Sequence, residues 1–214
     1  MIITPVKKPT KTYLPHPPLP GRRHSLYKRA LDLFISSFLI VFLLSWLLPV
    51  LGILIVLDSQ GPVFFIQQRR KRNFGCFPCI KLRSMVVNEE ADTKMAAEDD
   101  PRITRVGRWL RRTHLDEIPQ LFNVWWGDMS LVGPRPYMLV EDSWYSQHID
   151  GYGRRGLMKP GITGLAQSKG YFGFSGDKGD MEKKLTLDIS YVQDWSLHLD
   201  LRILLNTLRF IWPR

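Results

Sequence analysis

The chain has 214 residues and a net charge of +10, which leaves room for one soluble domain beside a membrane segment. The charge is concentrated: residues 1–29 hold seven bases and residues 59–83 six, neither stretch holds an acid, and with Asp32 and Asp58 counted everything beyond Arg83 sums to −1. A nucleic-acid-binding body would carry the positive charge itself; here the charge flanks an apolar run, where anionic head groups attract it, so nucleic acid is excluded as the partner and membrane lipid is favoured.

Residues 1–25 contain six prolines and no acid, and read as an extended basic tail. A helix is expected from about Ser25 into the uncharged run Leu33 to Leu57, which contains one proline, Pro49. As one helix this run would reach roughly 37 Å, enough to cross a hydrocarbon core of ~30 Å. Pro49 predicts a break near Leu48 that leaves two arms of roughly 24 and 12 Å, neither of which spans comfortably. Basic flanks tend to stay cytoplasmic, and both ends of this run are basic. A re-entrant helix satisfies both flanks, whereas a straight span would translocate one of them. A cleaved signal peptide does not fit, because the run is too long and starts too late.

The turn Asp58 to Pro62 then leads into two short apolar stretches, Val63 to Gln67 and Cys79 to Met85, around the polar turn Arg69 to Gly75. They predict a small β-hairpin. Cys76 and Cys79 have no second Cys-x-x-Cys or spaced histidines to complete a metal site, and read as reduced packing residues. Residues 88–100 are acidic and Ala-rich. Asp99, Asp100 and Pro101 predict a helix start. On that helix Ile103, Val106 and Leu110 share one face, while Arg102, Arg105, Arg108, Arg111 and Arg112 crowd the rest. That basic face is either solvated or a phosphate contact.

The stretch LDEIPQ, Leu115 to Gln120, sets adjacent carboxylates at the start of a second helix, expected from about Asp116 to Trp126 and ended by Gly127. Capping explains such a pair by itself. The context adds more: Arg111 and Arg112 precede it, and two Gly/Pro turns follow, SLVGPRP (Ser130 to Pro136) with Arg135 and KPGITG (Lys159 to Gly164) with Lys159. Carboxylates, guanidiniums and glycine turns are the parts that hold a metal-bound phosphate and attack it. Near the C-terminus Leu201, Leu204, Leu205, Leu208 and Ile211 recur at helical spacing between Trp195 and Trp212. This amphipathic helix packs either on the core or in the membrane interface.

These pieces resemble the monotopic phosphoglycosyl transferases, the bacterial sugar transferases that act on polyprenol phosphate. The matching stretches are KRALDLF (Lys28 to Phe34), the proline-broken apolar helix, GPVFFIQQR (Gly61 to Arg69), KLRSM (Lys81 to Met85), LDEIPQLFNVWWGDMSLVGPRP (Leu115 to Pro136), PGITG (Pro160 to Gly164) and DWSLHLDLRILL (Asp194 to Leu205). They run in order from about Tyr27 to Trp212. The chain departs from the family's pattern at Leu48, where a serine often precedes the proline, and at Lys71, where a glycine is favoured.

The resemblance implies a mainly α fold with a small β-hairpin: a re-entrant membrane helix over residues 26–60, with interfacial helices around a cytosolic catalytic domain over 61–214. It implies transfer of a sugar-1-phosphate from a UDP-sugar to polyprenol (undecaprenyl) phosphate, with release of UMP, on the cytoplasmic face of the bacterial inner membrane. This would be the first membrane step of exopolysaccharide, capsule, O-antigen or glycoprotein glycan assembly. Asp116 is the implied nucleophile, forming a covalent phosphosugar intermediate, and Glu117 assists it. Mg2+ is the implied cofactor, with Asp116 as its ligand. Arg69, Lys81, Arg83, Arg111, Arg135 and Lys159 are the candidate phosphate ligands. The alternative reading is a catalytically silent membrane scaffold. The sugar cannot be read from the residues, although specificity is expected between Pro136 and Lys184, around the glycine-rich stretch Gly170 to Gly179. A homo-oligomer stays open.

Overall fold

A computed structural model describes residues 22–89, 99–149, 151–172 and 178–211. The basic tail through residue 21, the acidic stretch 90–98, residues 173–177 of the glycine-rich segment and Trp212 lie outside the described residues. The rest is mainly helical with two small two-stranded sheets.

The apolar run forms one long helical element. Helix α1 (Arg22–Leu39) passes through a π-helical turn (Ile40–Leu44) into α2 (Ser45–Asp58). The expected break at Pro49 is not seen: Pro49 lies inside α2. The irregularity sits one to two turns earlier, where the Ser45 N–H reaches back to Ile40 O. π-Turns leave carbonyls poorly paired, and side chains serve two of them here. Ser45 Oγ donates to Val41 O (2.6 Å) and Trp46 Nε1 to Phe42 O (3.0 Å). The missing serine beside Pro49 therefore has a counterpart four residues upstream.

Strands β1 (Phe64–Arg70) and β2 (Cys76–Leu82) form the expected antiparallel hairpin, with Phe64 opposite Leu82 and Arg70 opposite Cys76. Lys71 stands where glycine is favoured, but it is extended (φ −118°); the left-handed residues of the tip are Asn73 and Phe74. Helix α3 (Arg105–Arg112) starts later than Asp99 to Pro101 suggested. Asp100 instead accepts the Arg102 N–H and pairs with its guanidinium, and Thr104 is the true cap, accepting the Gly107 N–H.

The two Gly/Pro turns contain strands that were too short to read. Strand β3 (Ser130–Val132) pairs in parallel with β4 (Gly161–Thr163). Helices α5 (Leu139–His148), α6 (Lys178–Gln193) and α7 (Leu197–Ile211) complete the body. The main core gathers Leu44 of the π-turn, Phe77 and Cys79 of β2, Leu121 and Val124 of a short helix α4 (Gln120–Trp126), β3, and Tyr191 and Ile203 of α6 and α7.

Helix α7 splits the leucine stripe: Leu204 packs against the main core, but most of the stripe does not. Asp200 and Ile203 are buried and Thr207 bonds Thr163, while Leu201, Leu205 and Leu208 are exposed. Two of the resembling motifs meet at its start. Lys28 of α1 donates to Asp200 (2.7 Å), Tyr191 Oη and Val132 O, and Trp195 donates to Asp200 as well. Arg29 donates to the last carbonyls of α4, Val124 O and Trp125 O, and Asp32 accepts from Ser130 Oγ and the Leu131 N–H. The residues at the entry to the apolar run are thus bonded into the body rather than left for lipid.

Candidate active site

The acidic pair lies on a bend between two helices. Helix α3 ends at Arg112, and His114 takes a left-handed conformation (φ 56°) that turns the chain into a 3-10 turn over Leu115–Glu117. Helix α4 starts four residues after Asp116, with Pro119 as its N-cap, so the pair precedes the helix rather than opening it. Gly127 (φ 96°) closes α4 as expected.

Glu117 is held from two sides. Lys81, near the end of β2, places its ammonium 2.7 Å from Glu117 Oε1. Arg135, from the turn after β3, grips the same carboxylate with both terminal nitrogens, at 2.8 Å to Oε1 and 3.3 Å to Oε2. Two-toothed guanidinium–carboxylate contacts are short, directional and strong. Asp116 is buried, yet among the described residues no hydrogen bond reaches its carboxylate.

The two neighbours titrate in opposite directions. Burial, then the Glu117 charge, pushes the Asp116 carboxyl up to about 6, against the pull of Lys81, Arg111 and Arg135. Burial also pushes Glu117 up, but Arg135 and Lys81 outweigh it and hold the carboxyl well below its usual range. His114 is pulled down by burial and stacks on Phe172 with centroids 5.0 Å apart. A pair of carboxylates driven apart in this way separates roles: one stays a fixed anion, the other is ready to change state.

Of the candidate phosphate ligands, Lys81, Arg111 and Arg135 surround the pair. The other three do not. Arg69 is buried behind the site, donating to Pro136 O (3.1 Å) and Gln67 Oε1 (2.6 Å), with Glu141 at 3.7 Å. It braces the turn that carries Arg135. Arg83 donates to the carbonyls of Ser59, Gln60, Gly61 and Pro62 and to Ser59 Oγ, so it fastens the exit of the apolar helix. Lys159 stands at the α4 C-terminus: a Cβ on Gly127 would lie 3.4 Å from both its ammonium and the Arg29 guanidinium.

Sequence reasoning missed the residues behind Arg135. Arg155, from a 3-10 turn over Tyr152–Leu157, donates to Arg135 O and pairs with Asp188 of α6 at 3.0 Å. Nothing in the local sequence marks Arg155 over its neighbour Arg154; only the tertiary contact separates them.

A family model described as bacterial sugar transferase matches residues 23–214. Among similar proteins, the UDP-glucose:undecaprenyl-phosphate glucose-1-phosphate transferase of Caulobacter vibrioides is 42% identical over 198 residues, 92% of this chain and 74% of that protein. The protein of the same name in Escherichia coli is 41% identical over 86% of this chain and 39% of its own length. The UDP-N-acetylgalactosamine-undecaprenyl-phosphate N-acetylgalactosaminephosphotransferase of Aeromonas hydrophila is 38% identical over 90% of this chain and 45% of its own length. The chain thus spans about three quarters of the first relative and under half of the other two.

Proposed function

The chain belongs to the bacterial sugar transferase family, and on that premise we propose that it moves a sugar-1-phosphate from a UDP-sugar to polyprenol phosphate of the undecaprenyl class, releasing UMP. An Asp116 oxygen attacks the sugar-bearing phosphorus of the donor. The new O–P bond replaces the bond to the bridging oxygen, and UMP leaves with that electron pair. A phosphate oxygen of the lipid then attacks the same phosphorus, the bond to Asp116 breaks, and a polyprenyl diphosphosugar departs with Asp116 regenerated.

The observation that carries this reading is the unlike state of the pair. Glu117 is tied to two cations, while the carboxylate of buried Asp116 takes no hydrogen bond among the described residues. An attacking carboxylate needs free lone pairs, and an anionic donor needs fixed positive charge around it. Lys81, Arg111 and Arg135 supply that charge, and Glu117 holds two of them in place. Mg2+ fits as the cofactor in a limited sense. Among the described residues no group of three or more His, Cys, Asp or Glu could hold a metal alone. Mg2+ commonly takes one or two carboxylates and completes its shell with substrate phosphates and water, so Asp116 with the donor diphosphate would suffice. When bound there it would neutralise charge on the diphosphate.

The placement we propose is monotopic, on the cytoplasmic face of the inner membrane. In support, the entry and the exit of the apolar run both contact one body: Lys28 bonds Val132 O, and Asp58 accepts the Val106 N–H at 2.8 Å. The relatives are named for glucose and for N-acetylgalactosamine, so membership does not assign the sugar. The test is Asp116→Asn in detergent with labelled UDP-sugars and polyprenol phosphate. We expect neither UMP release nor a labelled protein adduct; full activity would overturn the covalent route.

A further inference from the structure

Resting on that reading, we propose that Arg155, seated by Asp188, is a positioning residue that aims Arg135 at Glu117. The turn that carries Arg135 has three consecutive carbonyls, and each is tied to a different element. Pro134 O accepts from the Gly161 N–H (3.0 Å), Arg135 O from Arg155, and Pro136 O from Arg69 (3.1 Å). Both prolines lack an N–H, so the turn has few donors with which to fix itself. Its orientation comes from the groups that grip the carbonyls.

Arg155 is itself held through both terminal nitrogens, while its buried Nε has no hydrogen-bond partner among the described residues. It donates to Tyr152 Oη (2.9 Å), pairs with Asp188 (3.0 Å), and lies 4.1 Å from the Tyr137 ring centroid. Tyr152 in turn donates to Asp142 (2.8 Å), which accepts from Arg70 of the hairpin (3.0 Å). Both side chains of the Arg155–Asp188 pair are over nine-tenths buried. Buried ion pairs are seldom better than apolar residues of similar volume for stability alone. A rigid planar guanidinium can, however, bond several acceptors at set angles, which suits holding a carbonyl in place. The path from Asp188 to the acidic pair is then continuous: Asp188 to Arg155, Arg155 to the Arg135 carbonyl, and the Arg135 guanidinium to Glu117.

The test is a mutant cycle on the full chain in detergent. Arg155→Met, Arg135→Lys and the double variant are assayed for kcat and donor KM, with melting midpoints measured alongside. Arg155→Met is expected to lower kcat by roughly ten- to a hundredfold, as small misplacements of catalytic groups do, with donor KM little changed. The double variant is expected to match the slower single variant within about twofold, the mark of two residues acting as one unit. Wild-type kcat in a folded Arg155→Met protein overturns the proposal, and so do losses that simply multiply in the double variant. If Arg155→Met does not fold, Asp188→Asn, which keeps the shape and one acceptor, takes its place in the same cycle.

A second readout does not depend on turnover. The Arg135 Nε–H signal in 15N spectra, assigned by its loss in Arg135→Lys, should shift or broaden in Arg155→Met. An unchanged signal overturns the positioning role, whereas a wild-type chain that releases no UMP from any UDP-sugar counts against the proposed reaction alone.

Discussion

Burial and the neighbouring Glu117 raise the Asp116 carboxyl to about 6, and in the proposed reaction only its ionised form attacks phosphorus. The pH profile of kcat/KM, which reports the free enzyme, should therefore rise through about pH 6 and level off above it. Glu117→Gln removes a negative neighbour and releases Lys81 and Arg135 from their partner. Both changes favour ionised Asp116, so the rise should move to lower pH even as the plateau falls; a rise that moves up instead would contradict the assignment. Stability gives the matching sign. The folded-state value lies above the ordinary 3.8, so folding is unpenalised below about pH 4 and is penalised as pH rises through 6. A shift of this size corresponds to about 3 kcal/mol at pH 7 without divalent cation. Asp116→Asn should thus melt higher than the parent at pH 7 to 8, with the difference vanishing near pH 4. Equal midpoints across that range would mean that the carboxyl is not strained by burial.

At the scale of elements, β3 and β4 bring the Arg135 turn and the PGITG turn so close that side chains are excluded between them. A Cβ on Gly161 would sit 2.0 Å from the Gly133 N, and one on Gly133 2.3 Å from Lys159 O. Both obstacles are backbone, which cannot swing aside. Gly161→Ala should destabilise the fold by about 3 kcal/mol, the upper end of ordinary overpacking, and should lower kcat as the Arg135 turn shifts. Gly153→Ala is the contrast, since its Cβ would meet only the Phe74 ring at 3.5 Å. Calorimetry that finds the two variants equally stable would refute the close-contact argument. This pair of strands also shows where sequence reading stops. The hairpin, the helix after the acidic pair and its Gly127 stop were legible, because alternation and caps are local signals. Strands of three residues carry too little pattern to register, and the start of α3 went to Thr104 because Asp100 was drawn to Arg102. At the site, the sequence offered Asp116 and Glu117 with six candidate cations, of which Lys81, Arg111 and Arg135 lie around the pair. Arg69, Arg83 and Lys159 look the same in sequence, and only the tertiary partners show that their charge is used on carbonyls or stands apart.

For the whole molecule, the decisive pattern is one that hydropathy could not display, because both faces of the long helix are apolar. Phe34, Phe38, Phe42 and Trp46 recur every four residues, Ile53 and Leu57 follow seven and eleven residues after Trp46, and all are more than half exposed. Asp32, Ser36, Leu44, Leu51 and Ile55 form the opposite stripe and are buried against the body. One face thus meets protein along its length and the other is left for lipid. A lone crossing helix would instead expose most of its circumference to lipid and part its two ends by the ~30 Å hydrocarbon core. Here Lys28 at one end bonds β3 and Asp58 at the other caps α3, within a single packed body. Leu201, Leu205 and Leu208 of α7 and Trp125 and Trp126 of α4 are exposed apolar residues outside that helix. The consequence is directly measurable. With exposed Cys76 replaced by serine, a single cysteine is introduced at Tyr27 or at Gln60, both exposed and on either side of the apolar run. An impermeant maleimide should label both in inverted inner-membrane vesicles and neither in intact spheroplasts. One site labelled from each side would establish a straight crossing, and would require the contacts of Lys28 or of Asp58 to be absent in the membrane.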